Sequence, residues 1–133
     1  MVRCFTATSK PRTAIYAGSF DPPSSGHLDI IERSLKICDK LIVGIGINPM
    51  KRPVFTFEER KSLLERISTE DIQKKIEVCQ IEGMLADFII DKQIDFQIRG
   101  IRSYADFDSE FSMGLINREL CDRETVFLLG SPN

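Results

Sequence analysis

The chain has 133 residues, 42% of them hydrophobic and 29% charged, which is enough for one domain with a substantial core and too little for two. Its 18 Lys and Arg against 20 Asp and Glu give a net charge of −2, which excludes the basic coat of a nucleic-acid or membrane-surface binder. No stretch of about 18 apolar residues is present, so the sequence predicts no transmembrane helix. We expect residues 1–11 to be a flexible leader and residues 12–133 to be the folded domain.

The cysteines indicate the cellular compartment. Cys4, Cys38, Cys79 and Cys121 are widely spaced and the chain has one histidine, so a zinc site lacks ligands. The cysteines stand among apolar neighbours, as buried thiols do, and a chain that can build a core needs no disulfide. The sequence therefore predicts reduced thiols in a soluble cytoplasmic protein.

Strand-like runs alternate with helix-period segments along the chain. The predicted strands are Thr13–Ala17, Leu41–Ile47, Lys75–Ile81, Phe96–Ile98 and Thr125–Leu129. The predicted helices begin near Gly26 and after Thr56, and then cover Met84–Lys92 and Tyr104–Leu120. Right-handed crossovers between such strands give a Rossmann-like α/β fold, a doubly wound five-stranded parallel sheet in a single domain.

Two helices carry signals at their starts, and the last strand lacks a partner. Thr56 and Glu59 have the spacing of a capping box. Asp29 and Glu32 are expected near the positive N-terminal end of the first helix dipole. Only four residues follow Leu129, so we expect the domain to be C-terminally incomplete, with its last helices absent from this chain.

A turn rich in Gly, Pro and Ser follows the first strand. Gly18 and Gly26 allow close backbone approach, Ser19 offers a hydroxyl, and a helix starting at Gly26 presents free N–H groups to a phosphate. His27, in the first turn of that helix, adds a hydrogen-bond donor. The alternative is an ordinary strand-to-helix turn with capping serines and a solvated histidine, and for a lone histidine the residues favour that alternative.

Basic residues follow the second and fourth strands, Lys51 and Arg52 in one case and Arg99 and Arg102 in the other. Because parallel strands end at one edge of a sheet, these cations suit an anionic ligand there. Arg99 directly follows an apolar run, where a guanidinium requires an anionic partner. Glu110 either pairs with Arg102 or accepts hydrogen bonds from a nucleotide. The residues thus indicate a crevice for a phosphorylated small molecule.

Two further positions are open to two interpretations. Asp21 either helps phosphates to hold Mg²⁺ or bonds to the backbone of its own turn. Met84 and Leu85, after the third strand, are either core residues or an apolar ledge for the greasy arm of a ligand.

Three sequence blocks carry a family resemblance. They are AIYAGSFDP with SSGHLDI (14–22 and 24–30), NPMKRPVFTFEER (48–60), and QIRGIR with ADF (97–102 and 105–107). Together they closely resemble the phosphopantetheine adenylyltransferase family, whereas the first block alone indicates only the nucleotidylyltransferase superfamily. The resemblance runs from about Arg12 to Leu129.

This resemblance implies transfer of the adenylyl group of ATP to 4′-phosphopantetheine, giving dephospho-coenzyme A and pyrophosphate in coenzyme A synthesis, with Mg²⁺ carried by ATP. It implies a cytoplasmic homohexamer that binds these nucleotides or coenzyme A. The positions matching catalytic residues are His27, Lys51 and Arg99. Those matching ATP-binding residues are Ser19, Phe20, His27, Gly100, Ile101, Arg102 and Glu110. Those matching 4′-phosphopantetheine-binding residues are Ser19, Lys51, Leu85 and Arg99. Ser19 replaces the threonine usual in the family and keeps its hydroxyl.

Two alternative functions stay open at the level of sequence. One is a non-catalytic remnant that binds a nucleotide or coenzyme A, because the family's serine-rich, ATP-gripping helix start would lie beyond Asn133. The other is a related nucleotidylyltransferase that uses another phosphorylated acceptor. The first alternative predicts weak binding of ATP by the 133-residue chain.

Overall fold

A computed structural model describes residues 10–47, 50 and 52–130 of the chain. It contains five strands, Thr13–Gly18 (β1), Lys40–Gly46 (β2), Ile76–Ile81 (β3), Phe96–Ile101 (β4) and Glu124–Leu129 (β5). It also contains five helices, Ser25–Ser34 (α1), Phe57–Ile67 (α2), Glu70–Lys75 (α3), Leu85–Asp91 (α4) and Tyr104–Cys121 (α5). All strand pairs are parallel and the sheet order is β3-β2-β1-β4-β5. The predicted five-stranded α/β sheet is confirmed.

The strand order reverses at β1, and this reversal positions a crevice. The chain proceeds from β1 outward to β2 and β3, then returns to the other side of β1 for β4 and β5. β1 and β4 are paired only from Ala14 with Phe96 to Tyr16 with Ile98, although both strands continue further. Their carboxyl ends therefore separate, as expected at the point of an open α/β sheet where ligands bind.

The two faces of the sheet carry separate apolar cores because side chains alternate along each strand. One face of β1 places Ala14 and Tyr16 against α1, α2 and α3. The other face places Ile15 and Ala17 against α4 and α5. Burial on both faces explains the nearly continuous apolar run 41–45 of β2.

Several predicted boundaries differ from the structure. The short helix α3 was not predicted, and Lys75 ends this helix instead of beginning β3. β4 continues to Ile101, so Arg99 lies within the strand instead of after it. The predicted place of Asp29 and Glu32 at the start of α1 is wrong, because this helix starts at Ser25 and has no acidic residue in its first turn. The capping box of Thr56 and Glu59 is confirmed, with backbone-to-side-chain distances of 3.0 and 3.1 Å.

The described cysteines are free thiols. Cys38 and Cys121 are buried, and each donates to a backbone carbonyl one helical turn earlier, at 3.2 and 3.0 Å. Burial raises the pKa of the Cys38 thiol, which keeps it protonated. Within the described ranges, no helix combines the length and apolar character needed to cross a membrane.

Candidate active site

A cavity of about 550 Å³ opens where β1 and β4 separate. Seven residues predicted for the site line it, namely Ser19, Phe20, His27, Arg99, Gly100, Arg102 and Glu110. They come from the turn after β1, the start of α1, the end of β4 and the second turn of α5. The fold therefore brings together residues that lie up to 91 positions apart in the sequence.

His27 is fixed in one tautomer by the start of α1. The backbone N–H of Ser24 donates to Nδ1 of His27 at 3.0 Å, and the Ser24 hydroxyl lies 3.1 Å from the same nitrogen. A backbone N–H can only donate, so Nδ1 accepts and the ring proton of neutral His27 resides on Nε2. Burial, with a smaller contribution from Arg102, lowers the pKa of His27 below its ordinary 6.5. The ring is thus a neutral Nε2–H donor at the cavity.

The turn between β1 and α1 is held in an uncommon backbone conformation. Phe20 has a φ of +48°, a region that favours glycine, yet its side chain is only 1% exposed. Its ring packs against Tyr16 at 5.2 Å and against His27 at 4.7 Å between centroids. A Cβ on Gly18 would lie 3.2 Å from the Phe20 ring, which requires a very small residue there. Burial of Phe20 therefore offsets the strain and leaves Ser19 exposed at the cavity.

Arg99 lies within β4, and each of its three guanidinium nitrogens donates a hydrogen bond. Nε and Nη2 donate to the two carboxylate oxygens of Glu110 at 2.7 and 2.6 Å, and Nη1 donates to the carbonyl of Ala17. The predicted pairing of Glu110 with Arg102 is wrong, because β4 extends to Ile101 and turns Arg99 toward α5. The prediction that Arg99 needs an anionic partner is confirmed.

Arg102 is a largely exposed cation at the rim of the cavity. Its Nε is 3.9 Å from the carboxylate of Asp106, in the first turn of α5, and the Arg102 side chain is 65% exposed. The Asp106 carboxylate also accepts the backbone N–H of Arg102 at 3.1 Å, which anchors the arginine at the start of α5. Arg102 therefore presents a largely exposed guanidinium at the cavity rim, whereas the guanidinium of Arg99 is held by Glu110 and the Ala17 carbonyl.

Two described residues predicted for the site, Leu85 and Ile101, do not line the cavity. Lys51 lies outside the described residues, so its predicted contacts stay predictions. Leu85 is the first residue of α4 and packs partly buried against the core on the far face of the sheet. Ile101 lies at the end of β4, where its carbonyl accepts the backbone N–H of Gly130 at 2.7 Å. The roles implied for Leu85 and Ile101 also stay predictions.

The Asp21 carboxylate binds the backbone of the loop that precedes α2. It accepts the backbone N–H groups of Val54 and Phe55 at 2.7 and 2.8 Å, so the predicted bond to the backbone of its own turn is not observed. Among the described residues, no group of three or more His, Cys, Asp and Glu side chains could hold a metal ion.

Comparisons with known proteins agree with this geometry. The Cytidylyltransferase-like family model matches residues 15–130. The phosphopantetheine adenylyltransferase of Natranaerobius thermophilus is 44% identical over 119 residues, which cover 89% of this chain and 72% of that protein. The phosphopantetheine adenylyltransferase of Clostridium perfringens strain SM101 is 45% identical over 123 residues, covering 92% of this chain and 74% of that protein.

The chain belongs to the phosphopantetheine adenylyltransferase family. It is therefore an enzyme of the nucleotidyltransferase class, as the sequence blocks indicated. Among solved structures, a bifunctional NMN adenylyltransferase/ADP-ribose pyrophosphatase of Francisella tularensis, complexed with AMP and manganese, matches with a TM-score of 0.67 at 17% identity. The match covers 93% of this chain and 38% of the Francisella tularensis chain. At 17% identity, this likeness shows only that the fold is shared.

Two residues of this family member matter at the site although the sequence reasoning did not select them. Tyr16 lines the cavity from β1, and its burial raises the pKa of its phenol, which stays a neutral donor. Arg60 of α2 is only 5% exposed and donates to the carbonyl of Ser19. A signal for Arg60 existed, since it falls three and four residues before Leu63 and Leu64 and so lies on the apolar stripe of α2.

Proposed function

We propose that this chain transfers the adenylyl group of ATP to 4′-phosphopantetheine, forming dephospho-coenzyme A and pyrophosphate. One observation carries the proposal: the Ser19 hydroxyl, the His27 Nε2–H and the cations Arg99 and Arg102 surround one cavity at the carboxyl edge of β1 and β4. Two anionic molecules meeting at one phosphorus atom need this set of donors and charges.

The reaction itself requires no general base. An oxygen of the acceptor's phosphate monoester attacks the α-phosphorus of ATP, the bond from that phosphorus to the bridging oxygen of the β-phosphate breaks, and pyrophosphate leaves. The second pKa of a phosphate monoester is about 6, so the nucleophile is already ionised at pH 7. The protein's task is to align the two substrates and to neutralise the charge that develops.

His27 supplies the donor nearest to the reacting centre in this proposal. A neutral imidazole whose Nδ1 is occupied by Ser24 presents only Nε2–H, so it stabilises charge without exchanging a proton with the nucleophile. The free N–H groups at the start of α1 add about half a positive charge behind it. Ser19, exposed at the cavity next to the strained turn at Phe20, offers its hydroxyl to the phosphates.

The cations divide between the two substrates. Arg102, exposed at the rim, neutralises the leaving pyrophosphate, and Arg99, with Lys51, holds the phosphate of the acceptor. Arg99 is clamped by Glu110 in the free protein, so its guanidinium keeps one orientation before the acceptor arrives. Leu85 supports the apolar pantetheine arm. Mg²⁺ arrives with ATP and offsets the charge of the triphosphate.

The proposed cellular setting follows the family. We place the protein in the cytoplasm, where its thiols stay reduced, and propose a homohexamer as its working assembly. Sedimentation velocity of the purified chain tests the assembly, with a hexamer expected and a monomer contradicting it.

Release of pyrophosphate from MgATP tests the proposed reaction, measured with three acceptors in parallel. We expect release with 4′-phosphopantetheine and none with nicotinate mononucleotide or glycerol phosphate. Release with either of those two instead would identify a different acceptor. Binding of ATP or coenzyme A by calorimetry without release under any condition would identify a non-catalytic binding protein.

A further inference from the structure

A buried arginine outside the cavity contacts the turn that carries Ser19. Arg60 of α2 is 5% exposed and forms no ion pair among the described residues. Its Nη1 donates to the carbonyl of Ser19 at 2.9 Å, and its Nε donates to the carbonyl of Thr56 at 3.3 Å. Burying a guanidinium against carbonyls alone is costly, so a neutral residue of the same size would serve packing better.

The carbonyl that Arg60 holds belongs to the peptide between Ser19 and Phe20. This peptide precedes the residue with a φ of +48°, and its orientation sets the ψ of Ser19 and the φ of Phe20, and so the path of the backbone that carries both side chains. The Phe20 ring in turn lies 4.7 Å from the His27 ring. A fixed carbonyl at this point therefore constrains two of the groups that face the substrates.

A second tie joins the same two segments, and in it too the turn after β1 accepts. Asp21, in the turn after β1, accepts the N–H groups of Val54 and Phe55, which directly precede the cap of α2. The turn thus contributes a carbonyl and a carboxylate, and the start of α2 contributes a guanidinium and two amides. We call these contacts of Arg60 and Asp21 the α2 brace.

We propose that Arg60 is a positioning residue, which through the α2 brace holds the Ser19 turn and the loop before α2 in one fixed relation. This inference rests on the proposed function, in which the Ser19 hydroxyl contacts both ATP and the acceptor. The brace therefore aligns the two substrates without touching either, and its loss reduces alignment more than binding.

Steady-state kinetics of Arg60→Lys measures the alignment. Lysine keeps the charge but has no planar fork, so it cannot hold both carbonyls in one geometry. We expect kcat to fall about 10- to 100-fold, with KM for ATP within about threefold of wild type. Arg66→Lys, at an exposed position on the same helix, is the matched control and should retain wild-type kcat.

The second tie provides a coupling test. Asp21→Asn places an amide N–H against the N–H of Val54 or Phe55 and so breaks that side of the brace. If the two ties act as one unit, the Asp21→Asn, Arg60→Lys double variant has about the kcat of the weaker single variant. Multiplication of the two single losses would overturn the brace as a unit.

Amide exchange gives a readout that does not depend on activity. In Arg60→Lys, the Val54 and Phe55 amides should exchange with water at least about tenfold faster than in wild type, while the Leu64 amide inside α2 keeps its protection. Unchanged exchange at Val54 and Phe55 overturns the proposal, whether or not the wild-type chain makes product. Faster exchange at these two amides in a chain that makes no product would show that the proposed function alone has failed. Wild-type kcat in Arg60→Lys, with only a lower Tm, would make Arg60 purely a stabilising residue.

Discussion

At the scale of single residues, the imidazole ring of His27 is the central feature of the site. Nδ1 of His27 accepts the Ser24 backbone N–H, so this nitrogen is not free to take up a proton. This arrangement resembles a capping box in which an imidazole replaces the usual Glu or Gln. Protonation of Nδ1 would oppose that N–H, so the same local bond that starts α1 also keeps the ring neutral.

The first prediction concerns turnover. His27→Ala should lower kcat by about 10²- to 10³-fold, because the lost Nε2–H acts on charge that develops in the transition state. KM for both substrates should stay within about threefold. Initial rates of pyrophosphate release over a grid of both substrates measure this split. Equal losses in binding and turnover would show that His27 only binds ATP.

The second prediction concerns pH. Because His27 is the only histidine, its ring signals can be followed by NMR in untagged protein, and its midpoint should lie below 6.5. The unfolded chain then binds more protons than the folded protein as pH falls below 6.5. The stabilisation from this site is therefore complete above pH 6.5 and decreases as pH falls toward the folded pKa. A midpoint above 6.5 would contradict the assignment of a neutral His27 ring at pH 7.

At the scale of elements, an ion pair joins β4 to α5 at the point where β4 separates from β1. Arg99 and Glu110 are 27% and 20% exposed, join β4 to α5, and share two hydrogen bonds. Strand β4 continues past its last pairing with β1, and the guanidinium donates to the Ala17 carbonyl at that gap. The pair thus stabilises the edge that forms the cavity wall.

The third prediction tests this pair by urea unfolding. Glu110→Leu should destabilise the fold by about 1–3 kcal/mol, because it leaves the Arg99 guanidinium partly buried without its carboxylate. The double variant with Arg99→Met should lose less than the sum of the two single variants. Additive losses would show that the pair is not coupled in the folded protein.

The fourth prediction concerns the glycines of β2. A Cβ at Gly44 would lie 2.3 Å from Cδ1 of Ile81 and 3.1 Å from Cδ1 of Ile15, both in the packed core. Gly44→Ala should therefore lower the free energy of unfolding by about 1–3 kcal/mol. Gly46→Ala in the same strand, whose nearest atom would be 3.8 Å away, is the control and should change it little. Equal stabilities of the two variants would contradict the packing.

At the scale of the whole molecule, the sequence predicts the topology better than the side-chain pairings. Alternating strands and helices with right-handed crossovers leave few sheet orders, so the meeting of Ser19, His27, Arg99 and Arg102 at one edge followed from the fold class. The pairing of Glu110 depends on how far β4 extends beyond its pairing with β1, which no local pattern encodes. The apolar stripe of α2 could have indicated that Arg60 is buried, but no local pattern encodes its acceptor, which lies 41 residues away.

We propose that the adenylyl group is transferred to the phosphate of 4′-phosphopantetheine in the cavity at the carboxyl edge of β1 and β4. The reverse reaction tests it most directly, with dephospho-coenzyme A, pyrophosphate and Mg²⁺ added to the purified chain and ATP detected by luminescence. We expect ATP to form only when dephospho-coenzyme A and pyrophosphate are both present, and its rate of formation to fall at least about 100-fold in His27→Ala. If the wild-type chain formed no more ATP than His27→Ala, the proposed reaction would be wrong.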